Sequence, residues 1–170
     1  GRAKILFATV SYRSDGRWHV AVNVEAADFH PARRHVDAEG TPVVGIDRGL
    51  RTFAVVANER GLEVESIEAP RPLRGAMRKL RRKSKALSRK KGGSRNRHRA
   101  RRALAKTHAR IGSLRRDFVH RASSRLAKNH GRLVIEDLCT SGLMKTKLAR
   151  SIADSAWALF ATMLAYKAKW

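Results

Sequence analysis

"VVGIDRGLRTFAVV", residues 43–56, sets two apolar runs on either side of Asp47, Arg48 and Gly49. Short β-branched runs around a glycine read as two strands joined by a tight turn. Side chains alternate along a strand, so Asp47 shares its face with Gly45 and Val43, while Val44 and Ile46 point the other way. A carboxylate in that place is either a turn device or a metal ligand. The flanking sequence has to separate the two.

After a turn at Asn58–Gly61 a third strand is expected over 62–68, which makes an antiparallel meander. On the N-terminal side, KILFATVSY (4–12) and RWHVAVNVE (17–25) alternate apolar and polar around Ser14-Asp15-Gly16. They predict a β-hairpin. Residues 26–41 read as loop.

Charge is concentrated. The net charge is +24, and residues 71–130 hold 23 of the 38 Lys and Arg but one of the 14 acids, a net +22 against +2 elsewhere. Such a field attracts polyanions, with nucleic acid as the default partner. Pro70 and Pro72 open a helix whose Leu73, Met77, Leu80 and Leu87 form a seam, with Ser84 at the missing heptad position. "KKGGS" at 90–94 breaks it. A second helix carries Leu104, Ile111, Leu114, Phe118 and Ala122 on one face. Two helices of similar length around a Gly-Gly break read as an antiparallel helical hairpin.

"RLVIEDL" at 132–138, between Gly131 and Thr140-Ser141-Gly142, suits a strand buried on both faces. A last helix is expected from about Ser151 to Trp170, with Ile152, Trp157, Phe160, Leu164 and Tyr166 partly buried. Strands, then helices, then a strand and a helix make an α/β pattern. The crossover lets the fourth strand of the second sheet lie parallel to its first, as in a ribonuclease H-like sheet. Glu136 and Asp137 face opposite ways, so only one of them can meet Asp47. Converging carboxylates repel unless a divalent cation neutralises them. Mg²⁺ or Mn²⁺ prefers such oxygen ligands, and a pair of such ions serves phosphodiester hydrolysis.

"VVGIDRGLRTFAVV", the basic stretch "LRRKSKALSRKKGGSRNRHRARRALAKTHARIGSLRRDFVHRASSRLA", "LVIEDL" and "LARSIADSAWALFATMLAYKAKW" together resemble the RuvC-like nuclease core of TnpB proteins, the OrfB-type transposases related to type V CRISPR effectors. The resemblance covers roughly residues 41–170, and residues 1–25 resemble the last strands of the family's wedge domain more weakly. It implies a wedge-like part and linker over 1–40, and a RuvC-like nuclease domain over 41–170 with a basic hairpin insertion at 70–130. It implies a transposon-encoded, prokaryotic, cytoplasmic RNA-guided DNA endonuclease, with a guide RNA and target DNA as partners. Asp47 and Glu136 would be its catalytic, metal-holding carboxylates, with Mg²⁺ or Mn²⁺ as cofactor. The family's third carboxylate follows a zinc ribbon, so zinc is expected only beyond Trp170, and this piece alone is expected to be inactive. The chain begins at Gly1 without a Met and breaks off inside an apolar-periodic helix, as a fragment would.

Arg81, Arg82, Lys85, Arg89, Lys90 and Lys91 on the first helix side, and Arg95, Arg97, Arg99, Arg101 and Arg102 on the second, are the candidate nucleic-acid contacts. Such contacts position a backbone without reading sequence. His98, His108, His120 and His130 have no metal-ligand spacing and read as solvated or phosphate-facing. Asp154 is a tempting third carboxylate, but Ser151-x-x-Asp154 before an apolar-periodic run reads as a capping box for its own helix. Trp157 and Phe160 read as core rather than base-stacking platforms. Trp170, at the chain's end, is a further base-stacking candidate.

Two other function classes stay open. One is a non-enzymatic basic RNA/DNA-binding module, an inactive remnant. The other is an actin-type ATPase, whose first strand also reads G-I-D-x-G. Leu50-Arg51 stand where its phosphate-holding hydroxyls belong, which argues against it. One cysteine excludes a disulfide framework, and no apolar run reaches the ~18–20 residues of a membrane span.

Overall fold

The computed structural model describes residues 4–25 and 42–168 of this mixed α/β chain. The expected loop at 26–41 and Trp170 lie outside the described residues. Two units result, one from residues 4–25 and 75–112, the other from residues 42–74 and 113–168.

In the first unit, β1 (Lys4–Tyr12) and β2 (Trp18–Glu25) pair antiparallel, with Tyr12 opposite Trp18 and Val10 opposite Val20. The turn between them needs Gly16, whose φ is +82°. Asp15 accepts hydrogen bonds from Arg17 N–H at 3.2 Å and Arg17 Nε at 2.7 Å. The second of these holds the Asp15 carboxyl below the usual carboxylate range.

The basic stretch forms α1 (Pro72–Ser88) and α2 (Arg95–Asn129). Ser94 caps α2, its hydroxyl accepting the Arg97 N–H at 3.2 Å. The heptad seam passes through Lys83 rather than Ser84, which is exposed. Lys83 Nζ donates to the Ala103 carbonyl at 2.8 Å and Thr107 Oγ1 at 2.6 Å. Periodicity alone cannot reveal this, because a lysine counts as polar until its ammonium finds acceptors on the facing helix. Burial, with Lys79, Arg82 and Lys106 nearby, pushes the Lys83 ammonium pKa down. Facing it on α2 are Leu104, Thr107 and Ile111, half-buried or buried, whereas Leu114 is 46% exposed and leaves the expected seam.

In the second unit, β3 (Val43–Arg48), β4 (Thr52–Asn58), β5 (Glu63–Glu68) and β6 (Arg132–Ile135) form one sheet in the order β5-β4-β3-β6. β4 runs antiparallel to β3 and β5, and β6 runs parallel to β3. Gly49 makes the β3–β4 turn possible: a Cβ there would lie 2.7 Å from the Thr52 carbonyl oxygen. The close approach that Gly49 permits is therefore that of the chain's own backbone.

Val44, Ile46, Ala54, Val56 and Ile67 cluster with Val119, Ala122 and Leu126 of α2. Phe53 meets Phe118 and Phe160 edge-on, with centroids 4.8 and 4.9 Å apart. Each such contact contributes about 0.5–1.5 kcal/mol beyond area burial. Trp157 and Phe160 are core residues, 6% and 0% exposed. The two basic helices are not of similar length: α1 has 17 residues and α2 has 35. The second half of α2 belongs to the sheet's core, and its apolar face keeps the helix going past the hairpin seam.

The expected last helix is two helices, α4 (Ala149–Ser155) and α5 (Trp157–Lys167), and the Thr140-Ser141-Gly142 boundary forms a single helical turn, α3 (Thr140–Leu143). Ala156 breaks the run with φ +57°, a left-handed conformation that costs an L-residue about 1–2 kcal/mol. Ala156→Gly is therefore expected to stabilise the chain by about 0.5–1 kcal/mol, after subtracting the larger unfolded-state entropy of glycine. Urea unfolding midpoints check it, and a lower midpoint would contradict the strain.

Near the end of α5 the buried Lys167 Nζ reaches His120 Nδ1 at 2.8 Å, the His120 carbonyl at 2.7 Å, and the hydroxyls of Ser123 and Ser124 at 2.7 and 2.8 Å. His120 is exposed, as expected of a solvated side chain, and its ring also partners Lys167. Burial, with Lys128 adding to it, pushes the Lys167 pKa down.

Candidate active site

The ends of β3 and β6 form the site. Val44 pairs with Leu133, Gly45 with Val134 and Ile46 with Ile135. One step further this parallel register sets Asp47 beside Glu136. Asp47 and Gly45 are exposed, as are Val134 and Glu136, while Val44, Ile46, Leu133 and Ile135 turn to the core. The two carboxylates therefore share the open face of the sheet, and Asp137 follows Glu136 as its exposed neighbour. Asp47 has no hydrogen-bond or ion-pair partner among the described residues.

Arg48 holds Glu136 in place. Its backbone N–H donates to Glu136 Oε1 at 3.0 Å, and its guanidinium donates to the Glu136 carbonyl. The Arg48 Nε lies 3.9 Å from Oε1, with the Arg48 side chain 3% exposed and that of Glu136 39% exposed. Burial lowers the Arg48 pKa, and the Glu136 and Asp137 charges oppose that shift. An arginine stays protonated through such a shift. One Glu136 oxygen is thus engaged, and Oε2 makes no hydrogen bond among the described residues. Arg48 is the partner of Glu136 that the motifs did not single out. The available signal was its place on the inward face of a strand, where an arginine needs a carboxylate or carbonyl.

Asp154 does not cap its own helix. The N-cap position of α4 is Leu148, with no side-chain bond. Asp154 instead caps α1: Oδ1 accepts the Leu73 N–H at 2.9 Å and Oδ2 the Arg74 N–H at 3.1 Å. Arg115 Nε adds an ion pair at 3.1 Å. The carboxylate is 7% exposed and fully engaged, so it is no spare ligand. Among the described residues no three His, Cys, Asp or Glu side chains come together as a metal site.

Of the eleven candidate nucleic-acid contacts, Arg81, Arg82, Lys85, Arg89, Lys90, Lys91, Arg95, Arg99 and Arg101 are exposed and make no side-chain bond among the described residues. Two are taken up internally. Arg97 donates to the Lys90 carbonyl at 3.0 Å and the Leu87 carbonyl at 3.5 Å, closing the end of α1. Arg102 donates to the carbonyls of Asp15 at 3.3 Å and Gly16 at 3.1 Å, holding the β1–β2 turn. Orphan carbonyls at a helix end and a tight turn attract the nearest guanidinium, and spacing in the chain does not expose that.

Residues 19–147 match the OrfB_IS605 family, described as "Probable transposase". The chain belongs to this transposase family. Among its OrfB relatives, a "Putative RNA-guided DNA endonuclease" of Streptomyces pristinaespiralis is 39% identical over 163 residues, covering 95% of this chain and 38% of that protein. Rv2885c of Mycobacterium tuberculosis H37Rv, with the same description, is 36% identical over 177 residues, 100% of this chain and 38% of its own length. InsQ of Escherichia coli K12, also so described, is 30% identical over 178 residues, 95% and 42%. The chain spans about two fifths of the length of these OrfB relatives. No helix among the described residues is long and apolar enough to cross a membrane.

Proposed function

We propose that this chain is the part of a transposon-encoded, RNA-guided DNA endonuclease that carries two of its catalytic carboxylates, on a ribonuclease H-like (RuvC) sheet with a basic hairpin inserted before the fourth strand. The observation that carries this reading is the parallel register that sets Asp47 beside Glu136 on the open face. The β1–β2 hairpin is then the wedge-like part, and residues 41–170 the nuclease part.

The donor set fits Mg²⁺ or Mn²⁺. Both groups offer hard oxygens, and Mg²⁺ is commonly held by one or two carboxylates, with waters and substrate phosphate completing the shell. Asp47 and Glu136 are the residues that would hold it. The chemistry such a cation supplies is Lewis-acid stabilisation of charge at a phosphoryl group. Arg48 fixes the Glu136 carboxylate through its backbone N–H, so that oxygen does not reorient when a phosphodiester arrives. The exposed cations of α1 and α2 hold guide RNA or its heteroduplex by charge and shape, leaving sequence choice to base pairing.

The test uses the full-length protein with its guide RNA. Cleavage of matched DNA in Mg²⁺ is expected to stop on chelation and return on Mg²⁺ addition, with RNA binding unchanged. Metal-independent cleavage would overturn the carboxylate reading. Binding without any cleavage would leave the second reading, a basic RNA/DNA-binding module, which the nine unengaged cations support on their own.

A further inference from the structure

The geometry points to a phosphate-seating pocket in the second unit that holds one backbone phosphate of a nucleic-acid strand passing the Asp47–Glu136 site. It rests on the reading above in one respect, that the polyanion is a nucleic acid. A cleft of about 250 Å³ opens beside the β3–β4 turn, lined in part by Arg51, Arg71, Arg74, Ser151, Ser155 and Asp154. Drug-sized ligands occupy roughly 300–1,000 Å³, so this cleft suits a small group rather than a whole nucleotide.

Its lining selects for an anion. Arg71 sits just before Pro72 with φ +43° and is anchored by Nη2, which donates to the carbonyls of Leu50 at 3.0 Å and Arg51 at 2.8 Å. That bond pair ties Arg71 to the β3–β4 turn. The guanidinium groups of Arg51 and Arg74 have no partner among the described residues. Asp154 does not cancel them, because two backbone N–H groups and Arg115 already engage its oxygens. The pocket therefore keeps a positive balance, and planar guanidinium forks match phosphate oxygens. The hydroxyls of Ser151 and Ser155 add neutral polar groups to the same wall.

Location supplies the partner. The β3–β4 turn follows Asp47 directly, and the antiparallel pairings put the start of β4 and the end of β5 at the same end of the sheet as the C-terminal end of β3. Leu50 and Arg51, which line the cleft, follow Asp47 by three and four residues, so the β3–β4 turn ties the cleft to the C-terminal end of β3. A strand held at both places is fixed in direction as well as position, which a carboxylate pair alone does not achieve.

The test compares the full chain with Arg51→Ala/Arg74→Ala and Arg81→Ala/Arg82→Ala variants, binding a fluorescent single-stranded oligodeoxynucleotide at several salt concentrations. Arg71 is left intact because it holds the turn. The pocket variant should keep its circular dichroism spectrum and flatten the log–log salt slope by about 0.7, the share of the one phosphate no longer neutralised. Arg51→Lys/Arg74→Lys should restore most of the slope, since charge is kept. An unchanged slope for the pocket variant, with a flattened one for Arg81→Ala/Arg82→Ala, overturns the pocket and leaves the endonuclease reading standing. Unchanged slopes in both overturn the two together. Arginine Nε–H resonances of Arg51 and Arg74 should shift with the oligonucleotide. A shift with inorganic phosphate alone would mark a free-anion site and overturn the strand assignment.

Discussion

Asp47→Ala in the full-length protein is expected to lower the rate of guided DNA cleavage by about 10³-fold or more while leaving guide RNA binding within about twofold. Groups that act as one unit lose most of their effect when any member is removed. Asp47 is exposed, unpartnered among the described residues and outside the core cluster, so the substitution is expected to spare the fold. Glu136→Ala should be as damaging, and the double variant hardly worse than either single one. Single-turnover cleavage with matched DNA measures all three. Wild-type cutting by Asp47→Ala would end the assignment of this site.

The second large effect falls on stability. Asp154→Ala removes a buried carboxylate that satisfies two N–H groups of the first turn of α1 and pairs with Arg115. Breaking a buried pair from one side costs about 3–5 kcal/mol, since the remaining charge is left uncompensated. For a chain of this length that corresponds to a fall in Tm of roughly 6–20 °C. Asp154→Asn keeps an acceptor and should lose less. Adding Arg115→Met to Asp154→Ala should recover part of the loss, because the stranded guanidinium goes with it. Thermal unfolding of the four proteins decides the matter. A loss below about 1 kcal/mol in Asp154→Ala would show that the cap is solvated and of little weight.

These two residues divide the problem of reading this chain. Asp47 could be singled out from "GIDRG" because period-2 alternation states which face a strand residue takes. Glu136 followed from the same alternation in "LVIEDL", once the crossover made the two strands neighbours. Asp154 was legible only as a helix-start residue. Its partners lie 80 and 81 positions earlier and 39 positions earlier in the chain, and no local pattern names them. Arg97 and Arg102 carried the same charge signal as Arg99 and Arg101. What separates them is which carbonyls happened to lie within reach.

Local chemistry determined the strands, the Gly-broken basic hairpin and the sign of its field, because alternation, helical periodicity and charge are properties of neighbours along the chain. Tertiary structure alone decided that α2 runs on into the core, that Ala156 takes a left-handed turn, that Asp154 caps a different helix, and that Arg48 tethers Glu136. Each of these rests on satisfying a buried polar group or an apolar face with a partner far away in sequence, and only the folded chain chooses that partner.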